Sequence, residues 1–405
     1  LKEDMTMSKA FDALKAREQA VIMNTYGRYP MAVASAAGCR LRDLDGREYV
    51  DLLAGIAVCN LGHCHPALAE VMAAKAKELV HVSNVFYQRE QVELAEKLLA
   101  TCHCGKVFFC NSGAEANEGA IKLARRYMRT VKKRDAYEIV TLTSSFHGRT
   151  LATLTATGQD KIKFGFDPLP EGFVTVQSGD IEALRAAVSE RTAAVLLEIV
   201  QGEGGVKPFP REYLEAVAAL CRERDILFMV DEVQTGLCRT GKFWAFQNFG
   251  LTPDVFTCAK GLANGLPMGA VLATDAVAAG FAPGAHATTF GGGALVAATA
   301  AKVVDIMVSE KMAERAARMG DFALALFDEL KDRFPGKIVE VRGLGLMLGI
   351  ELAAPGAEVW KRLLERGFVC NLTQERVLRL LPPLVIDQDD LRAFAAALGE
   401  ILAAA

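Results

Sequence analysis

The stretch 254-DVFTCAKGLANGLPMGA-270 places Lys260 directly behind a short apolar run and ahead of a loop broken by glycine and proline. An ammonium at the end of a buried strand is costly unless something neutralises it. Partial burial also lowers the pKa of an amine, which makes lysine available as a nucleophile or base. Asp231, which closes 226-ILFMVD-231, raises the same question with the opposite sign. A buried carboxylate stays ionised only beside a cation, and no helix plainly begins here for Asp231 to cap. A protonated ring nitrogen would answer the charge. So would a metal, for which Glu232 is the neighbouring carboxylate at useful spacing.

Two further segments follow apolar runs in the same way. After 106-KVFFC-110 comes 111-NSGAEANEGAIKLARRY-127, where Asn111 and Ser112 suit an N-cap and Gly113 permits a tight strand-to-helix turn. A helix starting there offers free backbone N–H groups to an anion, although Glu115 and Glu118 suit the helix dipole with no anion present. After 137-YEIVTL-142 comes 144-SSFHGRT-150. Phe146 could cover a flat ring and Arg149 could grip a carboxylate with two hydrogen bonds; a loop with a surface arginine would read alike. A lysine amine condensed with a carbonyl is a standard way to hold pyridoxal phosphate, and that chemistry would give the Lys260 nitrogen a partner.

The elements that must position these residues have a recognisable rhythm. Helical periodicity in 66-PALAEVMAAKAKELV-80, 90-EQVELAEKLLA-100 and 116-ANEGAIKLARRYM-128 alternates with strand-like runs at 106–110, 137–142, 172–177, 193–199, 226–231 and 254–259. Such alternation predicts a mostly parallel sheet covered on both faces, with ligands beyond the carboxyl ends of the strands. A hairpin is expected over 40–55 around Asp45-Gly46. Hairpin-like strands at 338–352 and 377–384, with helices at 357–366 and 388–403, predict a smaller α+β domain after a helix at 294–308. The expected division is an N-terminal segment 1–65 contributing to the small domain, a large domain 66–308 and a C-terminal small domain 309–405.

The 405 residues carry a formal net charge of −3 and are 51% hydrophobic, so a substantial core is expected. No basic stripe marks a nucleic-acid surface. No apolar run approaches the ~20 residues of a membrane span, and the front of the chain lacks a signal-peptide pattern, with Met5 or Met7 as the expected natural start. The ten cysteines are scattered, several within apolar runs (Cys110, Cys221, Cys258), as suits a reducing cytoplasm. The clusters 63-HCH-65 and 102-CHC-104 lack a CxxC pair or a matching second half, so no metal site is expected.

Taken in order, GIAVCNLGHCHP, FFCNSGAEANEGAIKLARRY, FHGRT, VQGEGGV, DEVQTGLCRTGKFWAFQNFGLTPDVFTCAKGLANGLPMGA, TTFGGGALVAA and LRLLPPLVI resemble the blocks of the class III aminotransferases, within the fold type I pyridoxal-phosphate enzymes. Within that class the chain is most similar to the acetylornithine aminotransferases of arginine biosynthesis. The resemblance implies pyridoxal 5'-phosphate held covalently by Lys260, with Asp231 on the ring nitrogen, Gln234 on the ring hydroxyl, and Val233 and Phe146 on the two ring faces. It implies Ser112, Gly113 and Ala114 at the phosphate, Ala114 standing where the family usually has threonine. It also implies a homodimer with shared active sites, Thr289 reaching the partner's phosphate and Thr288 at the substrate entrance. Tyr26, Arg149, Glu203 and Arg379 would bind substrate. Of these, Glu203 would cover Arg379 for the amine donor and release it for 2-oxoglutarate.

Ile56 stands where ornithine aminotransferases usually carry tyrosine, and GGGALV at 291–296 replaces the more usual GGNPLA near the expected subunit interface. The alternatives on the same scaffold are succinylornithine, ornithine or GABA aminotransferases, and from another reaction class an aminomutase or racemase, which needs no second carboxylate switch. A nicotinamide dehydrogenase is excluded because 343-GLGLMLG-349 misses the GxGxxG spacing and sits late in the chain.

Overall fold

The short β-branched and aromatic runs of the middle of the chain pair into a seven-stranded sheet. The computed structural model describes residues 9–404, so the expected starts at Met5 and Met7 lie outside the described residues. In spatial order the strands are Lys106–Cys110, Gly269–Ala273, Val255–Cys258, Leu227–Asp231, Thr192–Leu197, Glu138–Leu142 and Phe173–Val176. Gly269–Ala273 runs antiparallel to both neighbours, and the remaining pairs are parallel. Strands covered on both faces read as continuous apolar runs, and the four from Glu138–Leu142 to Val255–Cys258 are buried at every position. The sequence runs had located six of these strands. The seventh, GAVLA, is short and opens on glycine, so its strand signal is weak.

Helix Gly113–Thr130 lies across the strands Gly269–Ala273 and Val255–Cys258 and buries Ala116, Ala120, Ile121, Leu123 and Ala124 there. Its start is pressed against the sheet: a Cβ on Gly269 would stand 2.4 Å from the Ser112 carbonyl oxygen. Helix Ala294–Ser309 begins after 291-GGG-293, and there glycine is required. A Cβ on Gly291 would meet the Phe109 carbonyl oxygen at 2.5 Å, and Gly292 has φ +72°.

The expected hairpin forms between Arg40–Asp43 and Glu48–Asp51, turning at Gly46 with φ +81°. Val33–Ala37 extends it on one side, and Phe368–Val369 pairs in parallel with Glu48–Asp51 on the other, so the two ends of the chain share a sheet. The 338–352 region is the hairpin Ile338–Leu344 and Met347–Leu352, continued by Val377–Leu380 and Asn371–Thr373. Helix Met312–Arg333 packs on this hairpin, and Ala357–Glu365 and Gln388–Ala403 complete the layer.

Arg239 fastens these parts together. It is fully buried and donates to the carbonyls of Leu346 (3.0 Å) and Pro382 (2.5 Å) and to Asn60 Oδ1 (2.6 Å). Burial pulls its guanidinium down to about 9.

Candidate active site

Each strand that carries a singled-out residue delivers it to the same end of the sheet. The result is a cavity of about 390 Å³ whose walls include Ser112, Gly113, Ala114, Phe146, Arg149, Glu203, Asp231, Val233, Gln234 and Lys260. That volume is in the range of a small-molecule site. Ser112 is the N-cap of the helix that follows the first strand, its hydroxyl accepting from the Glu115 N–H at 3.1 Å. The first-turn N–H groups of Gly113 and Ala114 have no intrahelical acceptor, and both residues line the cavity. Gly113 is obligatory here because a Cβ would lie 2.7 Å from Val233 Cγ1.

Lys260 opens a short 3₁₀ turn with φ +44°, a left-handed conformation that a lysine adopts at a cost and that concentrates at functional sites. Among the described residues its ammonium makes no hydrogen bond. Burial lowers its pKa, against the opposing pull of the Glu203 charge.

Asp231 is 4% exposed and fully engaged on its protein side. Its Oδ2 accepts from Asn117 Nδ2 at 2.7 Å and pairs with His147 Nδ1 at 2.8 Å, while Oδ1 accepts from the Val233 N–H at 3.0 Å. Burial pulls the His147 pKa down, but the bond to Asp231 outweighs it and leaves the imidazole above its ordinary value. Asp231 therefore has an imidazole partner that sequence reading did not assign. Glu232 is not its partner: it accepts from the Thr235 hydroxyl at 2.6 Å and the Phe246 N–H at 2.9 Å. Among the described residues no group of three or more His, Cys, Asp or Glu could hold a metal ion.

Glu203 Oε1 lies 2.6 Å from Arg379 Nη1. Arg379 is 1% exposed, with Asn371 Oδ1 at 2.7 Å from its other terminal nitrogen and Gln234 Oε1 at 3.4 Å from the first. Burial raises the Glu203 carboxyl, and the Arg379 charge more than reverses that, so its pKa ends below the usual range. Glu198, a residue the sequence analysis did not single out, also lines the cavity. It accepts from the Phe146 N–H at 3.1 Å, and burial pushes its carboxyl up to about 8. Phe146 carries Arg149 over its ring at 5.5 Å, and Arg149 is exposed.

Four named residues lie off the cavity wall: Arg379, which stands behind Glu203, and Thr288, Thr289 and Tyr26. Thr288 accepts from Asn111 Nδ2 at 3.0 Å, and Thr289 is exposed on the same loop. Tyr26 is 69% exposed among residues 11–32, which enclose a separate hollow of about 1090 Å³. His63 of the HCH cluster pairs with Asp51 at 2.6 Å, and His103 Nε2 lies 2.8 Å from the Pro253 carbonyl.

The family model described as aminotransferase class III matches residues 21–402. The chain is 43% identical over 379 residues to the acetylornithine aminotransferase of Methanocaldococcus jannaschii, covering 94% of this chain and 95% of that protein. With the acetylornithine aminotransferase of Methanothermobacter thermautotrophicus it shares 46% over 385 residues, covering 95% and 97%. Among solved structures, the ornithine aminotransferase of Toxoplasma gondii superposes with a TM-score of 0.94 at 30% identity, covering 98% of this chain and 96% of that one. A lysine and an aspartate lining one cavity at the carboxyl ends of a mostly parallel sheet, with these relatives, mark a fold type I pyridoxal-phosphate transaminase. The chain belongs to the class III aminotransferases.

The residues present fit that cofactor. Lys260 offers an unbonded amine, Asp231 a buried carboxylate fixed on three sides, and Gly113 and Ala114 open amides at a helix N-terminus suited to phosphate.

Proposed function

We propose that the chain is an acetylornithine aminotransferase. It moves the δ-amino group of N-acetylornithine to 2-oxoglutarate, giving N-acetylglutamate 5-semialdehyde and glutamate, in a cycle of two half-reactions. The observation that carries the reading is the Glu203–Arg379 contact at 2.6 Å beside the lysine-bearing cavity. A cation capped by a movable carboxylate suits an enzyme whose two amino substrates differ in a single carboxylate. An aminomutase or racemase takes no external oxo acid and has no use for it. The names of the relatives point the same way.

When bound, pyridoxal phosphate supplies an electron sink for the carbon that loses a proton. In this reading the protein does the rest. Lys260 holds the cofactor covalently and its Nζ carries the proton to and from the reacting carbon. Asp231, fixed by Asn117 and His147, keeps negative charge at the ring nitrogen. Gln234 serves the ring hydroxyl, Val233 and Phe146 the ring faces, and the amides of Gly113 and Ala114 with Ser112 the phosphate. Arg149 holds the substrate carboxylate, and Tyr26 and Thr288 border the substrate entrance. Thr289 reaches the phosphate of a second copy, making the active form a homodimer. Ten free cysteines, seven of them buried, suit a reducing cytoplasm.

The test is the absorption of the purified holoenzyme mixed with N-acetylornithine alone, and separately with succinylornithine, ornithine and GABA. The cofactor's visible band should bleach fastest with N-acetylornithine and return on adding 2-oxoglutarate. Faster bleaching by another amine overturns the substrate; a band that no amine bleaches overturns the roles given to Lys260 and the cavity.

A further inference from the structure

Residues Ala54, Gly55, Ile56 and Ala57 all have positive φ, at 50°, 64°, 67° and 61°. They form one left-handed turn, closed by the Val58 and Cys59 N–H groups donating to the Ala54 carbonyl at 2.8 and 2.9 Å. L-residues resist this conformation, a β-branched one most of all, so something must hold it.

Asp51 does so from below. Its Oδ1 accepts from the N–H groups of both Leu53 (2.8 Å) and Ala54 (2.9 Å). Its Oδ2 pairs with His63 Nε2 at 2.6 Å, the two side chains being 2% and 17% exposed. His63 is itself anchored by reciprocal backbone bonds with Gly38. The bond to Asp51, and after it a contact with the Cys59 thiol, lifts His63 to about 10, so the pair is charged through the neutral range.

The turn ends at Val58, an apolar residue on the wall of the Lys260 cavity. Beyond it, Leu61 N–H donates to Asn264 Oδ1 at 2.8 Å, tying the segment to the loop that follows Lys260.

We propose that the Asp51–His63 pair is a positioning latch that holds residues 54–57 left-handed and so sets Val58 against the cavity, where it meets the apolar chain of the amine donor. The proposal rests on the reading of the cavity given above. The short oxo acid depends on arginines, so the latch acts on one substrate and not on both.

Steady-state kinetics of the His63→Gln holoenzyme test this. The KM for N-acetylornithine should rise roughly tenfold, with kcat and the KM for 2-oxoglutarate within about twofold of wild type. Adding Ala54→Gly, which relieves one left-handed residue, should bring the donor KM back toward wild type. Equal losses in both KM values, a loss confined to kcat, or no rescue would show a merely structural pair and overturn the proposal. Should His63→Gln fail to fold, Asp51→Asn is judged by the same split. A wild type that bleaches with a different amine overturns the substrate reading separately, and the split is then measured with that amine.

Discussion

Glu203 and Arg379 are unequal partners. The carboxylate side is 32% exposed and the guanidinium 1%, so the glutamate can swing toward water while the arginine stays. Glu203→Gln weakens the cap, and the ratio of glutamate to N-acetylornithine half-reaction rates should rise on the order of tenfold. Stopped-flow bleaching measures it; an unchanged ratio would sink the switch. Glu198 gives a pH signature. Its carboxyl titrates near about 8 in the fold and near ~4.3 in an unfolded chain. Between those values the native state holds a proton that the unfolded state has lost, so stability falls as pH climbs through the window and levels off above it. His63 adds a second decline. Raised to about 10, it stabilises fully below ~6.5 and loses that stabilisation as pH passes its folded value. Thermal unfolding followed across both windows should flatten in the lower one for Glu198→Gln and in the upper one for His63→Gln.

At the scale of elements, the contact between the Gly113 turn and Val233 makes a strong prediction. Gly113→Ala drives a methyl to 2.7 Å from Val233 Cγ1, costing about 1–3 kcal/mol of stability as overpacking. It also tilts the amides proposed to hold phosphate, so cofactor affinity, followed by fluorescence titration, should fall at least about tenfold. These turns were legible in the sequence because each site residue sits at or just past the end of an apolar strand: Asp231 closes its strand, and Asn111-Ser112-Gly113, Phe146 and Lys260 follow theirs within four residues. What could not be read was which of them meet. His147 and Asp231 are 84 positions apart, and Asn117 and Asp231 are 114 apart; no local pattern links them. Asp51 and His63 escaped for another reason. The histidine sat in a cluster that posed a metal question, and left-handed backbone at Ala54, Ile56 and Ala57 has no signature in residues that normally avoid it.

For the whole molecule, the segment 80–87 and the loop 288–291 present one apolar surface. Val85 is 81% exposed, Phe86 64% and Phe290 68%, His81 packs on the Phe290 ring, and Asn84 donates to the carbonyls of Thr288 and Gly291. Such a surface suits the homodimer proposed above. Phe86→Glu with Phe290→Glu should give a monomer in sedimentation velocity that has lost most of its activity, because Thr289 no longer reaches a partner; an active monomer would refute shared sites. The fully buried Arg239 has a consequence for motion. Its three acceptors come from the segment before the large sheet, the hairpin at Leu346 and the turn at Pro382. A hinge that parted these pieces would break three hydrogen bonds to a charged group at once. These bonds favour one stationary frame, so on the proposed function successive substrates should be admitted by side-chain rotation at the cavity.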